Sequence, residues 1–159
     1  MNKRSLSNWA SFAEIIASIA VVISLLFVGF QVHENTTEMQ ASQSNTLYDA
    51  MRDVDLVVLS NPHLMDAIDK AMNGDRSEMS DEEVVYFRNY LTSVFNIWEQ
   101  AYYRADDGSM SNQFYLEWEE GFSVYLRNGV TPEDLDFALT WFSEEFRSRV
   151  SDVAKGIEE

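Results

Sequence analysis

One carboxylate, Glu14, lies in an otherwise uncharged apolar stretch, Trp9–Val32, which reads WASFAEIIASIAVVISLLFVGFQV. A charge in such a run is costly. It marks a polar pathway, a pairing across helices, or a position from which the side chain reaches water. Steps of four and three from Ala10 place Glu14, Ala17, Val21, Ser24, Val28 and Gln31 on one seam, with Ile15, Ile19, Ile23, Phe27 and Phe30 opposite. Small residues permit close approach and polar ones bond across helices, so the seam is a candidate helix–helix contact or the lining of a narrow pore. Two readings of Glu14 stand together: it snorkels to water near the positive end of its helix, or it is buried within an oligomer. Ser18, four residues on, bonds either that carboxylate or its own backbone.

Other chemistry is sparse. The two histidines are His33 and His63, and neither follows a Glu by three residues, so the Glu-x-x-His pair of di-iron bundles is missing. His63, Asp66 and Asp69 recur at spacings of three, but without a fourth donor they read as a solvated face rather than a metal site. With no cysteine there is no thiolate zinc site, cysteine nucleophile or disulfide framework. Tyr103, Ala105 and Asp107 do not supply the alternating oxygens of a calcium loop before Gly108. No phosphate-binding loop, nucleophile elbow or zincin motif occurs. The expectation is a protein that is not an enzyme, with no catalytic residue, cofactor or metal.

The elements that must position the seam follow from hydropathy. Ile15–Val32 gives eighteen uncharged residues, roughly 27 Å of helix against a hydrocarbon core of about 30 Å. No small-x-small cleavage pattern follows, so Trp9–Val32 reads as an uncleaved transmembrane helix rather than a signal peptide. Lys3 and Arg4 precede it, and only Arg52 follows within about 20 residues, favouring a cytoplasmic N-terminus and an external C-terminal domain. The chain of 159 residues has a net charge of −16; residues 1–32 carry +1 and the rest −17. That field repels nucleic acid and anionic lipid headgroups.

The spacing predicts an all-α fold: a short tail at 1–8, the span at 9–32, a polar juxtamembrane helix or neck at 33–46, and an acidic helical bundle at 47–159. Neither Gly nor Pro occurs between Gly29 and Pro62, so the span is free to continue as one long rod, with a flexible neck at His33–Thr37 as the alternative. Leu47, Met51, Val54 and Val58 should face the bundle core. Asn61-Pro62 opens a short helix. Ser80-Asp81-Glu82-Glu83 is a capping box for a helix whose face is Val84, Phe87, Leu91, Val94, Trp98 and Ala101, widened by Tyr90 and Phe95. Ser111 caps the next, with Phe114, Trp118, Gly121, Phe122 and Tyr125 on one side. Thr131-Pro132 opens a third with a single stripe of Leu135, Leu139, Phe142, Phe146 and Val150, and with Glu133 and Asp134 at its positive end.

The segments Ala13-Glu14-Ile15-Ile16, AVVISL at Ala20–Leu25, VGFQV at Val28–Val32 and Asn35-Thr36, with NPHL at Asn61–Leu64, resemble the N-terminal signature of a widespread group of uncharacterised bacterial single-span membrane proteins. Members often carry a basic residue near His33, and its replacement here weakens the carry-over at that turn. The resemblance implies a bacterial inner-membrane protein of unknown function and transfers no catalytic residue; with a bacterial source, the external side given by the basic residues is the periplasm. The functional expectation is a membrane-anchored, oligomeric structural or interaction protein, the lipid bilayer and a second copy being its partners. The alternatives are a small cation channel lined by Glu14, Ser24 and Gln31, and an accessory subunit packed on another membrane protein.

Overall fold

A computed structural model describes the backbone of residues 3–158; the side chains of residues 3–8, of the seam's Ala10, and of Ser11 and Glu158 lie outside the described set. The described chain is all-helical, as its periodicity predicts. α1 spans Lys3–Ser60, α2 Pro62–Met72, α3 Asp81–Asp106, α4 Asn112–Arg127, α5 Pro132–Leu139 and α6 Glu144–Glu158, with a short 3-10 turn at Arg76–Glu78. The chain divides into two compact units, Met1–Met39 and Gln40–Glu159.

α1 is helical from Lys3, inside the stretch expected as a tail, and stays helical through 33–46, where a neck was the alternative. No proline interrupts it, and the hydroxyls of its polar stretch turn inward. Thr36 and Thr37 donate to Val32 O and His33 O, and Ser44 and Thr46 to Gln40 O and Ser42 O, so each is satisfied on its own helix four residues back. The second unit begins at Gln40, ahead of Leu47, because Gln40 donates to Gly108 O and Arg104 donates to Gln43 O, both at 3.2 Å.

Within Gln40–Glu159 the hub is α3, which packs against α2, α4 and α5, while α6 packs on α4. Its capping box forms as expected: Ser80 accepts from Glu83 N, and the Glu83 carboxylate accepts from Ser80 N. Phe87, Leu91, Val94, Phe95 and Trp98 are completely buried. Trp98 organises them. Phe122 stacks on it at 5.5 Å and 14°, Phe146 meets it edge-on at 5.5 Å, and Phe95 lies at 5.8 Å. Each aromatic pair adds about 0.5–1.5 kcal/mol to the gain from burial. Leu47 of α1 joins this core, with Met51, Val54 and Val58 packed against it.

Two of the expected stripes are corrected. α4 buries Tyr115, Glu119, Phe122 and Ser123, whereas Gly121 is exposed and Phe114 and Trp118 are half-buried beside Tyr48. The third helix is two helices, broken between Leu139 and Glu144. Ser143 makes the break: its hydroxyl accepts from Phe146 N at 3.2 Å, its N–H and hydroxyl donate to Glu99, and Tyr103 donates to it at 2.7 Å. It is the cap of α6, held by α3.

Gly129 closes the α4–α5 turn at φ +79°, and a Cβ there would stand 1.9 Å from Ala71 O; Gly108 has a similar φ of +76° with open space around it. Gly108→Ala should cost about 1–2 kcal/mol from backbone strain alone, and Gly129→Ala clearly more, read as the difference in thermal unfolding of the two variants.

Candidate functional site

Along Phe12–Val32, α1 is exposed and apolar around its circumference, and it is the one helix among the described residues long and apolar enough to cross a membrane. Glu14, Ala17, Val21, Ser24, Val28 and Gln31 fall on one stripe, which drifts by about 20° per heptad on a straight helix. Ile15, Ile19, Ile23, Phe27 and Phe30 occupy the opposite side and are all exposed. Ser18 donates to the Glu14 backbone carbonyl at 2.8 Å, which is the second of its two readings. Counting small residues alone would have added Ala13 and Ala20. With Ala17 and Ser24 they keep the four-three-four spacing and form a low ridge along the seam's edge.

The second unit holds its chemistry in pairs. Asp134, the third residue of α5, is 0% exposed. Arg88 Nε donates to one carboxylate oxygen at 2.9 Å; Arg76 pairs with the other, which also accepts from Thr131 N and Oγ1 at 3.1 and 2.9 Å. Burial pushes this carboxyl up, but hydrogen bonds from Arg88 and Thr131, together with the Arg76 charge, hold it below the usual carboxylate range. The guanidinium of Arg76 lies over Phe87 at 5.2 Å and that of Arg88 over Phe137 at 5.6 Å. Sequence placed Asp134 as a helix-dipole residue; it is also the buried knot between the 3-10 turn, α3 and α5.

Glu119 on α4 forms a second buried knot. Arg149 of α6 donates to both of its oxygens, through Nε at 2.8 Å and through a terminal nitrogen, and the Tyr115 hydroxyl donates to it as well. Burial, reinforced by the Glu119 bond, pushes the Tyr115 phenol up to about 12. On the surface, Lys70 donates to Glu83 at 2.6 Å, which with the Ser80 bonds holds Glu83 down to about 2. These carboxylates are already engaged by cations, so the arrangement braces helices rather than presenting a base to a substrate.

His63, Asp66 and Asp69 are not gathered into a site: Asp66 pairs with Lys70 at 3.0 Å and Asp69 accepts from Asn73. Among the described residues no group of three or more His, Asp or Glu side chains is placed to hold a metal ion. Two apolar grooves flank α1 in this unit. One, between Tyr48, Met51, Trp118 and Tyr125, encloses about 330 Å³; the other, between α1 and α3, about 370 Å³. No protein-family model, curated protein or solved structure matches the chain.

A carboxyl with a folded pKa below its unfolded value, about 3.9 for Asp, stabilises the fold above that pH and loses the contribution as pH falls through the folded value. Asp134 and Glu83 both lie on that side. Acid titration followed by near-ultraviolet circular dichroism should therefore show stability lost below about pH 4, with a shallower slope for Asp134→Asn. Asp134→Ala leaves two arginines facing a partly buried void and should cost about 3–5 kcal/mol.

Proposed function

We propose that this chain is a membrane-anchored helical protein that self-associates through the α1 seam and presents an acidic interaction domain. The observation that carries the reading is the exposed, predominantly apolar Phe12–Val32 segment, with Glu14, Ala17, Ser24 and Gln31 on one stripe. Such a surface is compatible with lipid, and lipid gives apolar helices no reason to associate. Contact therefore depends on close approach and cross-helix bonds, which Ala17, Ser24 and Gln31 provide. A second copy is the simplest partner because each chain brings the same stripe, and a parallel pair sets Glu14 beside Glu14.

The resemblance of AEII, AVVISL and VGFQV to a bacterial single-span group supports placing the span in a bacterial inner membrane, with Lys3 and Arg4 on the cytoplasmic side. The excess of −17 beyond Val32 favours an interaction domain that takes cationic partners.

Native mass spectrometry from mild detergent should give a defined oligomer. Ala17→Leu or Ser24→Leu should weaken it roughly 3- to 20-fold, the equivalent of about 0.6–1.7 kcal/mol per contact, while Ile19→Leu on the opposite side leaves it intact. A strictly monomeric protein sinks the reading. A single stoichiometric foreign partner replaces it with an accessory subunit, and cation conductance in planar bilayers abolished by Glu14→Gln replaces it with a pore.

A further inference from the structure

The groove between α1 and α3 has an apolar floor of Val54, Val57, Val58, Leu64 and Tyr90. Its volume of about 370 Å³ falls in the range of roughly 300–1,000 Å³ that buries ligand side chains. At its open edge α1 turns Val57 outward, 57% exposed. α1 has already spent Leu47, Met51, Val54 and Val58 on the core, so the exposed Val57 is surplus to folding the domain.

The rim is acidic. Asp53 lines the groove, and Glu82 accepts from the Tyr86 hydroxyl at its edge, 2.6 Å away. Neither forms an ion pair among the described residues, whereas the neighbouring cations are engaged, Arg52 by Asp49 and Lys70 by Asp66 and Glu83. This charge selects the occupant. Anionic lipid and nucleic acid are repelled. A second copy would have to offer its own exposed apolar knob, and the largest is Trp141, 86% exposed. Asp136, Glu144 and Glu145 lie next to it in the chain and would meet Asp53 and Glu82 as like charges.

We propose that this groove seats a basic amphipathic helix of a partner protein, its apolar side on Val57 and Leu64 and its Lys or Arg residues over Asp53 and Glu82. Helix-in-groove recognition asks for these two features together, an apolar trough and an opposite charge along the lip. The inference rests on reading the chain as an interaction protein and is independent of its oligomer number.

The test uses the full chain in a non-ionic amphipol, with empty amphipol as blank, and a dye-labelled amphipathic Leu/Lys helix peptide read by fluorescence anisotropy. One-to-one saturable binding is expected, with the Leu/Glu counterpart silent. Val57→Asp is decisive: simple charge adsorption would tighten with the added carboxylate, whereas a seated helix weakens by about tenfold. Asp53→Lys should weaken it similarly, and Asp152→Lys, remote from the groove, by less than about twofold. Absence of binding, equal or tighter binding to Val57→Asp, or self-association abolished by Val57→Asp would each overturn the proposal. Native mass spectrometry of the same samples separates that failure from failure of the oligomer, which the peptide does not report.

Discussion

A carboxylate withdrawn from water must find cations or take up a proton, and the second unit is braced by two that found cations. Asp134 and Glu119 each collect arginine nitrogens from elsewhere in the chain: Arg76 and Arg88 for the first, Arg149 for the second. α5 has eight residues and α6 fifteen, both short for independent helical stability in water. The two knots supply direction that the aromatic core does not. Phe146 and Val150 would be buried in several rotations of α6, but Arg149 meets Glu119 in one. Breaking such a pair costs more than its presence contributes, because the orphaned partner stays where water cannot reach it.

The architecture was legible wherever a local rule acted alone. Asn61, Ser80, Ser111 and Thr131 each cap the helix their side-chain chemistry announced, because a cap bond spans only two or three residues. The α3 face was likewise readable, since its period is regular and its neighbours cover it evenly. The break at Ser143 was hidden by a stripe that stays in register across it, although Ser143-Glu144-Glu145 carries a start signal of its own. Asp134 and Glu119 were hidden for a different reason. Their partners lie 30 to 58 residues away in sequence, and no periodicity registers a charge that is buried because a distant arginine meets it. The seam was legible as a stripe because a regular helix fixes which residues share a face.

The two units divide the physics between them. Residues 12–32 present almost uniform apolar surface, so specificity has to come from small differences in side-chain size and from a few polar atoms. Residues 40–158 carry nearly all the charge, and there the negative field is interrupted by patches of apolar ground. The groove beside Val57 is such an interruption. A cationic helix arriving there is attracted at long range by many carboxylates and sorted at short range by a few aliphatic side chains, the division expected when steering and selection act at different distances.

The placement of the tryptophans gives the molecule an internal optical scale. Trp98 is sealed in the core with Phe122 stacked upon it, Trp118 is half-covered beside Tyr48, and Trp9 and Trp141 stand in the open. Trp141 lies in the break between α5 and α6, with its indole outside the core. Its emission therefore follows events at that corner while Trp98 reports the integrity of the whole. One chain thus carries separate signals for the α5–α6 corner and for global unfolding, with no foreign dye between them.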